Sequence, residues 1–591
     1  MQNHLKQAFA VLRFGKRILT FCNLAPDLTE KLRFLAIFGA FLEEFFALRL
    51  PRLTQEKIPT EKLKNAAQKM NALAENYFFK TIATMPQILK TKAIANNPQC
   101  AAFFKEKIEA LLKNGVDFEE NFPFENNCLY VLLDNQKLVA MPRDIPFFLN
   151  IDSHIVFLTD LITAFNKNTT LFFVVENMLL NIPIPFDLEN FEKLYLKKQQ
   201  PILLIFANGD LKNFKTNAFL LKTKNRAPFL PLKQIFGFLK ALNVESPSLA
   251  NLPVPFVDFP KHDVFLNHPY HNFDAILRLT ALAANDDKVS EIYISLYRTI
   301  LKSQLIQNLK NAAKNGKKVH VFIELLARQD ERDNIYLFND LKQNNVLVSA
   351  FKNGYKLHAK TLLIKRENHF IAHIATGNYN EQTAKQYIDC GIITRQPEIT
   401  KTIYKLFQNR FNIQNSFVLN YSPKNLHEKL LYLIKKETAF AKKGKRAKII
   451  AKINALTETQ LIKALQNAAE NGVKIRLIIR GASLLKPKKN IQIISVIGRY
   501  LEHARIIYFY HNGKEKTYIS SADWMPRNLF SRTELLCPIF DKKIKRFLIQ
   551  NALQNYFKSS HFEMQKNGHY IFKEKFKNAQ IEPYFKLLKG L

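Results

Sequence analysis

Two nine-residue stretches decide the fold, LHAKTLLIK at residues 357–365 and EHARIIYFY at residues 502–510. Each places a histidine two residues before a basic residue and continues into an apolar run. At one constant offset of 145 residues the polar residues around them match in pairs: His358 with His503, Lys360 with Arg505, Asn378 with Asp523, and Asp389 with Glu534. Because histidines, cations and acids return together while most intervening residues differ, we predict a single active site built from two related halves.

The repeat continues upstream at an offset of 156 residues. SQLIQNLKNAAKNGKKVHVFIE, from Ser303, aligns with TQLIKALQNAAENGVKIRLIIR, from Thr459. In each segment, apolar residues three and four apart predict an amphipathic helix, the Asn-Gly pair predicts its C-terminal end, and β-branched residues predict a following strand. Each half is therefore predicted to be an α/β unit of strand, helix and strand, with further strands leading to the histidine.

The histidine segments carry residue types suited to nucleophilic chemistry. Alternating apolar and polar residues predict a strand on which His358 and Lys360 share one face. A histidine offers a nitrogen nucleophile near neutral pH, and the acid further along the chain can accept a hydrogen bond from its other ring nitrogen. A lone histidine on a strand is more often structural, but the repeated cation and acid favour a functional role here. The histidines without such companions are interpreted as structural, among them His268, His271, His369 and His373.

The long-range organisation follows from breaks in these patterns. TEKLKNAAQKMNALAENYFFKTIA is patterned as a helix and ANNP follows as a breaker, which places a helical domain at residues 1–95. A mixed α+β domain is expected at 96–247, with YVLLDNQKLVAMP as a hairpin. The two repeated halves then occupy 248–421 and 422–591. The basic stretch KKETAFAKKGKRAK between the halves is interpreted as a solvated helix and turn rather than a track for a polyanionic chain.

Further strings share these motifs with a known family: NHPYHNFDAI, ISLYRT, ELLARQDERDNI, KLHAK, TGNYNEQTAKQYID, AKIIAKIN, IIRG, GRYLEHARI and YISSADWMPRN. Together they resemble the polyphosphate kinases whose catalytic halves belong to the phospholipase D-like superfamily. KLRFLAIFGAFLEEFFALRL, near the N-terminus, more weakly resembles the helical domain of that family. The resemblance implies an α/β, multidomain α+β protein in which two duplicated phospholipase D-like α/β domains are catalytic.

The reaction of that family implies roles for the residues that match it. His358 would take the terminal phosphoryl group of ATP as a phosphohistidine and pass it to the end of a polyphosphate chain. His503 would act on the leaving or incoming oxygen, and Asp389 and Glu534 would orient the two imidazoles. Lys360 and Arg505 would be the cations that accompany the histidines.

The family also implies residues that bind nucleotide, phosphate and metal. Nucleotide and phosphate positions correspond to Tyr387, Arg480, His503, Asn378 and, where the family has an asparagine in its N-terminal helix, Phe41. The implied cofactor is Mg²⁺, and Arg298 and Arg328 match positions associated with magnesium and phosphate. Since a guanidinium is a poor metal ligand, we interpret both arginines as phosphate clamps beside the ion.

Three functions from different classes stay open. The favoured one is an active polyphosphate kinase whose partners are ATP/ADP and inorganic polyphosphate. The second is a degenerate member that binds polyanions but turns over weakly, because Phe41 and a shortened loop after Arg480 depart from the family. The third is a phospholipase D-like phosphodiesterase or nuclease. Lys365 occupies the place where the lipases have an aspartate and argues against lipase activity, and we expect no nucleic-acid partner and a homo-oligomer.

Composition supports a polyanionic partner. The chain carries 87 Lys and Arg against 50 Asp and Glu, a formal net charge of +37, although an AT-biased genome would also enrich lysine. Five scattered cysteines predict a reducing, cytoplasmic location with neither zinc nor disulfides. No signal-peptide pattern is present, and the run FLAIFGAFLEEFFAL includes Glu43 and Glu44 and is too short to cross a bilayer. We expect it to form a buried or oligomer-forming helix, and peripheral membrane contact stays open.

Overall fold

The structure is a computed structural model that divides the chain into two compact units, Met1–Ser248 and Leu249–Leu591. It describes residues 2–25, 28–45, 61–82, 91–117, 128–133, 137–142, 145, 148–151, 154–166, 169–177, 202–207, 218–222, 251–297, 303–325, 327, 331–350, 355–409, 411, 418–575 and 577–588.

The first unit begins with helices. The three longest are α1 (Gln2–Leu24), α2 (Leu28–Glu44) and α3 (Glu61–Ile82), and α2 is the predicted apolar helix, with Leu35 and Phe38 fully buried. Shorter helical segments follow: α4 (Thr91–Ala95), α5 (Pro98–Phe103), a π-helical turn (Phe104–Glu109) and α6 (Ala110–Lys113). No helix in the described ranges is both long and apolar enough to cross a membrane.

The remainder of the first unit contains strands. They are β1 (Val116–Asp117), β2 (Cys128–Leu133), β3 (Lys137–Ala140), β4 (Phe148–Ile151), β5 (His154–Phe157), β6 (Thr169–Asn177), β7 (Ile202–Ala207) and β8 (Ala218–Lys222), with α7 (Leu158–Phe165) after β5. β2 and β3 form the predicted antiparallel hairpin within a sheet of order β1-β3-β2-β6-β7-β8, and β4 pairs with β5.

The second unit contains the repeat, and its first half runs from β9 to α12. The elements are β9 (Val264–His268), α8 (Asp274–Asn285), β10 (Val289–Leu296), α9 (Gln304–Lys314), β11 (Lys318–Ile323), α10 (Glu331–Gln343), β12 (Leu347–Ala350), β13 (Lys356–Leu357), β14 (Thr361–Arg366), β15 (His369–Ala375), α11 (Glu381–Gln386), β16 (Tyr387–Thr394) and α12 (Pro397–Gln408).

The second half repeats this order, except that the described chain has no helix between β19 and β20, and it adds a C-terminal extension. Its elements are β17 (Asn420–Ser422), α13 (Leu426–Lys442), β18 (Lys448–Ile453), α14 (Thr459–Glu470), β19 (Lys474–Ile479), β20 (Ile491–Ser495), β21 (Leu501–Glu502), β22 (Arg505–Phe509), a 3₁₀ turn (His511–Gly513), β23 (Lys516–Ser520), α15 (Pro526–Phe530), β24 (Arg532–Pro538) and α16 (Lys542–Phe547). The extension is a π-helical turn (Leu548–Leu553), a 3₁₀ turn (Gln554–Lys558), β25 (His561–Met564), β26 (Tyr570–Lys573) and α17 (Glu582–Leu588).

The helix and strand predicted from the upstream repeat are present in both halves. Ser303 caps α9 by accepting the backbone N–H of Leu305, and Glu458, one residue before the counterpart of Ser303, caps α14. Gly316 and Gly472 follow the two helices with φ of +77° and +95°, a left-handed conformation that glycine adopts without strain. Each helix then leads into a parallel strand, β11 or β19, which confirms the prediction.

The two halves have the same sheet topology. The first sheet has the order β12-β11-β10-β14-β15-β16, with β9 on β16, and the second has β20-β19-β18-β22-β23-β24, with β17 on β24. One hydrophobic core includes residues of both sheets, among them Phe322 and Ile392 from the first and Ile450 and Leu535 from the second. The fold is therefore the predicted α/β duplication, and the two halves share a core.

Candidate active site

Each histidine lies where the chain crosses from one sheet to the other. β13, just before His358, pairs with β24 of the second half, whereas β14, just after it, belongs to the first sheet. β21, just before His503, pairs reciprocally with β16 of the first half, and β22 returns to the second sheet. The backbone N–H of His358 donates to the Thr533 carbonyl at 2.9 Å, and that of His503 donates to the Ile388 carbonyl at 3.1 Å.

This crossing corrects one prediction. His358 and Lys360 do not share a face of one strand, because they occupy the non-strand residues between β13 and β14. The two short strands pair in different sheets, so the chain leaves one ladder and joins the other at the histidine. The same happens at His503, between β21 and β22.

The His358 imidazole is held by an acid of the other half. Its Nδ1 lies 2.8 Å from Oε2 of Glu534, and the Glu534 side chain is fully buried. The amide of the buried Asn528 donates to the other carboxylate oxygen at 2.6 Å. Because both carboxylate oxygens are engaged, the ring orientation is fixed and the second ring nitrogen, Nε2, stays available for chemistry.

The His503 imidazole is held in the same manner by Asp389. Its Nδ1 lies 2.8 and 3.0 Å from the two carboxylate oxygens. The Thr376 hydroxyl donates to Asp389 at 2.5 Å. A Cβ at Gly377 would stand only 2.5 Å from an Asp389 oxygen, so this close approach requires glycine.

The histidine–acid pairs are crossed between the halves. From the sequence, the acid further along the chain could have belonged to the same half as its histidine. Instead Asp389 of the first half serves His503, and Glu534 of the second half serves His358. Neither half therefore contains a complete pair, and the two halves form one centre, as the repeat predicted.

The two cations have different partners. Arg505 forms a bidentate ion pair with Asp523, at 3.1 and 2.9 Å, and also donates to the backbone carbonyls of His503 and Thr376. Lys360 is 1% exposed, donates to the His358 carbonyl and lies 5.3 Å from the centroid of the Tyr297 ring. The two halves therefore differ in the partner of the cation. Asn378, the counterpart of Asp523, makes no hydrogen bond to Lys360 in the described part of the chain.

Burial and neighbouring cations keep His358 uncharged. Burial lowers the pKa of His358 well below its usual value, and the charges of Lys360, Arg532 and Arg505 lower it further. Burial also lowers the pKa of Lys360 well below its usual value. Mutual repulsion among these cations favours a bound anion, because an anion would offset it.

The two acids have opposite shifts. Burial raises the pKa of Glu534 to about 7. Burial acts in the same direction on Asp389, but His503, the Thr376 hydrogen bond and Arg505 outweigh it, so the pKa of Asp389 is lowered. Burial lowers the pKa of His503 to about 4, which leaves a neutral ring whose Nδ1–H donates to an ionised Asp389.

The other predicted residues are found in several places. Tyr387 lies beside His503, with ring centroids 5.3 Å apart, and the charge of Arg480 acts on both His503 and Asp523. Phe41 lies on α2 of the first unit. Its ring contacts Phe14 edge-on with centroids 5.7 Å apart and covers Gly15. Arg298 and Arg328 lie outside the described residues.

Several residues of the site were not singled out from the sequence. They are Thr376 and Asn528, which bond the acids; Asn454, whose amide donates to the His503 carbonyl and whose backbone N–H donates to Asp523; Tyr297, whose ring contacts His358; and Arg532. The repeat could have indicated two of them at the offset of 145. Thr376 matches another hydroxyl residue, Ser521, and Arg532 matches Tyr387, which was already a predicted site residue. Asn528 has Thr383 at its matching place and gave no such signal.

Mg²⁺ prefers several oxygen ligands around one point. The described residues contain no group of three or more histidine, cysteine, aspartate or glutamate side chains able to hold a metal ion. Asp389 and Glu534 are engaged by imidazoles, and Asp523 is engaged by Arg505. The described part of the site therefore does not fit a magnesium site built from protein ligands.

Two crossed histidine–acid pairs contributed by two related halves of an α/β fold define a class of enzyme in which paired histidines form a single centre. Residues 4–118 match the polyphosphate kinase N-terminal domain, residues 256–416 the polyphosphate kinase C-terminal domain 1, and residues 419–582 the C-terminal domain 2. A polyphosphate kinase of Exiguobacterium sibiricum is 30% identical over 95% of this chain and 91% of its own length. The chain belongs to the polyphosphate kinase family.

Two further relatives agree with this membership. A polyphosphate kinase of Burkholderia multivorans is 40% identical over 55% of this chain and 50% of its own length. The crystal structure of a polyphosphate kinase from Porphyromonas gingivalis covers 99% of this chain and 98% of its own, with a TM-score of 0.79 and 24% identity. At that identity the crystal structure shows the likeness of fold alone.

Proposed function

We propose that this protein is an active polyphosphate kinase that transfers the terminal phosphoryl group of ATP, reversibly, through a phosphohistidine to the end of an inorganic polyphosphate chain. The observation that carries the proposal is the crossed pair of His358 with Glu534 and His503 with Asp389. Family membership supports the choice of substrates, and the geometry supports His358 as the nucleophile and His503 as its partner.

His358 is the nucleophile in the first step. A neutral imidazole whose Nδ1–H donates to Glu534 has its lone pair on Nε2. That nitrogen attacks the terminal phosphorus of ATP, the P–N bond forms, and the bond from phosphorus to the bridging oxygen breaks, so that ADP leaves. Glu534 stabilises the positive charge that develops on the ring.

His503 acts in the second step. Because its Nδ1–H donates to Asp389, the lone pair of His503 is on Nε2, which lies 3.2 Å from the Arg505 guanidinium. An incoming terminal phosphate that takes over this arginine contact can give its proton to Nε2. The polyphosphate oxygen then attacks the phosphohistidine, a P–O bond forms, and the P–N bond breaks to restore His358. The cations Lys360, Arg505 and Arg532 offset the charge of the phosphoryl oxygens during both steps, and removal of one well-placed donor of this kind costs about a hundred- to thousandfold in rate.

Magnesium enters this scheme with the nucleotide. We assign Mg²⁺ to the phosphates of ATP, since the described residues do not form a cage for it. Arg298 and Arg328 are assigned to the phosphates beside the ion, on the family resemblance alone. No chemical step above depends on the ion being held by this chain.

The location and assembly of the protein are proposals as well. We assign the protein to the cytoplasm, because the four cysteines that the structure describes as free, Cys22, Cys100, Cys390 and Cys537, are all buried thiols. A homo-oligomer is expected from the family resemblance.

The test is incubation of the purified full-length protein with γ-labelled ATP and magnesium. The proposal predicts protein-bound phosphate that is labile in acid and stable in base, together with long-chain polyphosphate. A protein that binds polyphosphate but forms neither product would support the degenerate alternative. Release of nucleotides from nucleic acid without polymer synthesis would support the phosphodiesterase alternative.

A further inference from the structure

A group of cations lies at one end of the strands of the second sheet, the end that is far from the histidines. β18 and β19 begin there with Lys448 and Lys474, which are direct partners in the parallel ladder. β23 begins at the same edge with Lys516, opposite Phe509 at the end of β22. We define the basic edge as Arg446, Lys448, Lys474, Arg476, Lys514 and Lys516.

The six cations outnumber the acids around them. Among the described residues, none of the six forms an ion pair with a carboxylate. Three acids lie nearby: Glu515 accepts the Tyr508 hydroxyl at 2.7 Å and its charge acts on Lys448, Asp541 caps α16, and the fully buried Glu437 accepts the backbone N–H groups of Lys448 and His511. Lysines 429 and 436 add charge around His511 at the same edge, and Lys542 and Lys545 add charge beside Lys516.

The first half provides an internal comparison. At the place of Lys448 it has Glu291, which pairs with Lys365 and lies 3.8 Å from Lys318. Arg366 of the same edge pairs with Asp286 at 2.6 Å. In the first half the cations are thus paired with acids. In the second half Lys448 replaces Glu291, the acid that contacts two of those cations. An excess of lysine spread evenly over the chain would not produce this difference between equivalent edges.

The basic edge is too far from the histidines to bind the same phosphate group. β18 runs from Lys448 to Ile453, and the next residue, Asn454, contacts both His503 and Asp523. Six residues of strand span about 20 Å. A ligand that reaches both places must therefore be a long polyanion, and a nucleotide triphosphate cannot do so.

We propose that the basic edge is a second binding site for polyphosphate, which holds a distant part of the chain whose end is at the histidines. The inference rests on the proposed function for the identity of the polymer. Exposed cations with flexible stems suit a repeating, uniformly charged chain, because each phosphate can be replaced by the next without loss of contact. Arg446, 4.8 Å from the Tyr510 ring, and Arg476, 5.1 Å from the Phe557 ring, are held against aromatic faces and give the edge a fixed geometry.

The test compares two variants that remove equal charge. The edge variant is Arg446→Gln, Lys474→Gln, Arg476→Gln and Lys516→Gln. The control variant is Lys342→Gln, Lys401→Gln, Lys463→Gln and Lys573→Gln, four exposed lysines away from the edge. Binding of labelled long-chain polyphosphate and of tripolyphosphate is measured for both full-length variants at one salt concentration, alongside thermal unfolding.

We expect the edge variant to bind long-chain polyphosphate about tenfold or more weakly than the wild type, and tripolyphosphate within about twofold of it. The control variant should retain wild-type affinity for both, and its unfolding should match that of the edge variant. Equal weakening in both variants would overturn the site, as would unchanged long-chain affinity in the edge variant. Loss of binding to single-stranded RNA or to anionic vesicles with intact polyphosphate binding would also overturn it.

The result of this binding test can be distinguished from the result of the phosphoenzyme test of the proposed function. Binding is measured without turnover, so a wild type that forms no phosphoenzyme would refute the kinase proposal and leave the binding comparison valid. If the kinase is active, the edge variant should show a raised KM for long chains and an unchanged rate of His358 phosphorylation.

Discussion

At the scale of single residues, the contact between His358 and Glu534 joins groups 176 positions apart in the chain. It combines a ring that burial keeps neutral with an acid whose pKa burial raises to about 7. Only the ionised acid carries the negative charge that stabilises the positive charge developing on the ring. The protonation state of Glu534 near neutrality should therefore control the first chemical step.

The pH dependence of phosphoenzyme formation follows from this. Glu534 is protonated below a pH of about 7 and ionised above it, so the rate should rise with pH through that value and level off. His358 stays neutral on both sides because its pKa is lowered. The measurement is kcat/KM against pH for the wild type and for Glu534→Gln, which cannot titrate. ATP titrates equally in both, so an identical acid limb in the variant would refute the assignment.

The crossed pairing predicts different defects for the two acids. Glu534→Gln should slow the phosphorylation of His358 at least tenfold, about 1.4 kcal/mol in barrier. Asp389→Asn should slow chain extension by a similar factor, because Asp389 orients His503. Rapid-quench measurements of the two steps would separate them, with Glu428→Gln, an exposed residue of α13, as the control. If neither acid substitution slows its step tenfold, the acids are only structural.

Phe41 raises the question of nucleotide choice. Its ring packs against Phe14 and over Gly15, so an apolar contact occupies the position where the family has an amide. A site that loses a hydrogen-bonding group loses discrimination between bases more than phosphate chemistry. We expect GTP to be used within about tenfold of ATP, ~1.4 kcal/mol. Competition kinetics that show a preference for ATP of about a thousandfold, ~4 kcal/mol, would contradict this.

At the scale of elements, a buried network fixes the strand that precedes His503. Glu502 at the end of β21 pairs with Lys452 of β18 at 2.6 Å, and each side chain is 3% exposed. Tyr556 donates to Glu502 at 3.0 Å and accepts from Lys452 at 2.7 Å, while the Gln580 amide donates to Glu502 at 2.8 Å. The C-terminal extension thereby holds the residue adjacent to His503.

Removal of one partner of this ion pair should be costly. Lys452→Met leaves a buried, uncompensated carboxylate and should lower the free energy of unfolding by about 3–5 kcal/mol. Lys488→Met, at the exposed pair with Glu470, should cost under about 1 kcal/mol. Trp524, the one tryptophan of the chain, is fully buried in this unit and reports denaturant unfolding. Equal losses for the two variants would show that the network does not contribute to stability.

The elements also show what local sequence could predict. Helix periodicity, the Asn-Gly ends and β-branched strands are local signals, so α9, α14 and the strands after them were predicted correctly. The strand assigned through His358 was wrong, because the side-chain pattern does not show that the ladder changes sheets there. The Lys452–Glu502 network has no repeat signal, since the first half holds Ser295 and Leu357 in the equivalent places.

At the scale of the whole molecule, the duplication explains why the site could be predicted in part. A constant offset identifies equivalent residues, which is how His358, His503, Asp389 and Glu534 were selected. It does not say which equivalent residues touch, because both pairings, within and between halves, satisfy the same offset. Only the reciprocal pairing of β13 with β24 and of β21 with β16 decides the matter.

The domain boundaries and the assigned roles of the site residues stay predictions. The structure divides the chain at Ser248, and helical elements of the first unit continue to Lys113, past the expected limit near residue 95. Within the second unit the geometry shows which groups touch. Their chemical roles have to be measured.

One labelling experiment tests the central claim that a single centre built from both halves uses His358 as its nucleophile. Full-length wild type, His358→Ala, His503→Ala and a control, His569→Ala at an exposed position, are each incubated with γ-labelled ATP and magnesium. We predict no acid-labile phosphoprotein and no polymer for His358→Ala, slow labelling without efficient polymer synthesis for His503→Ala, and wild-type behaviour for the control. Undiminished phosphoenzyme in His358→Ala would contradict the account.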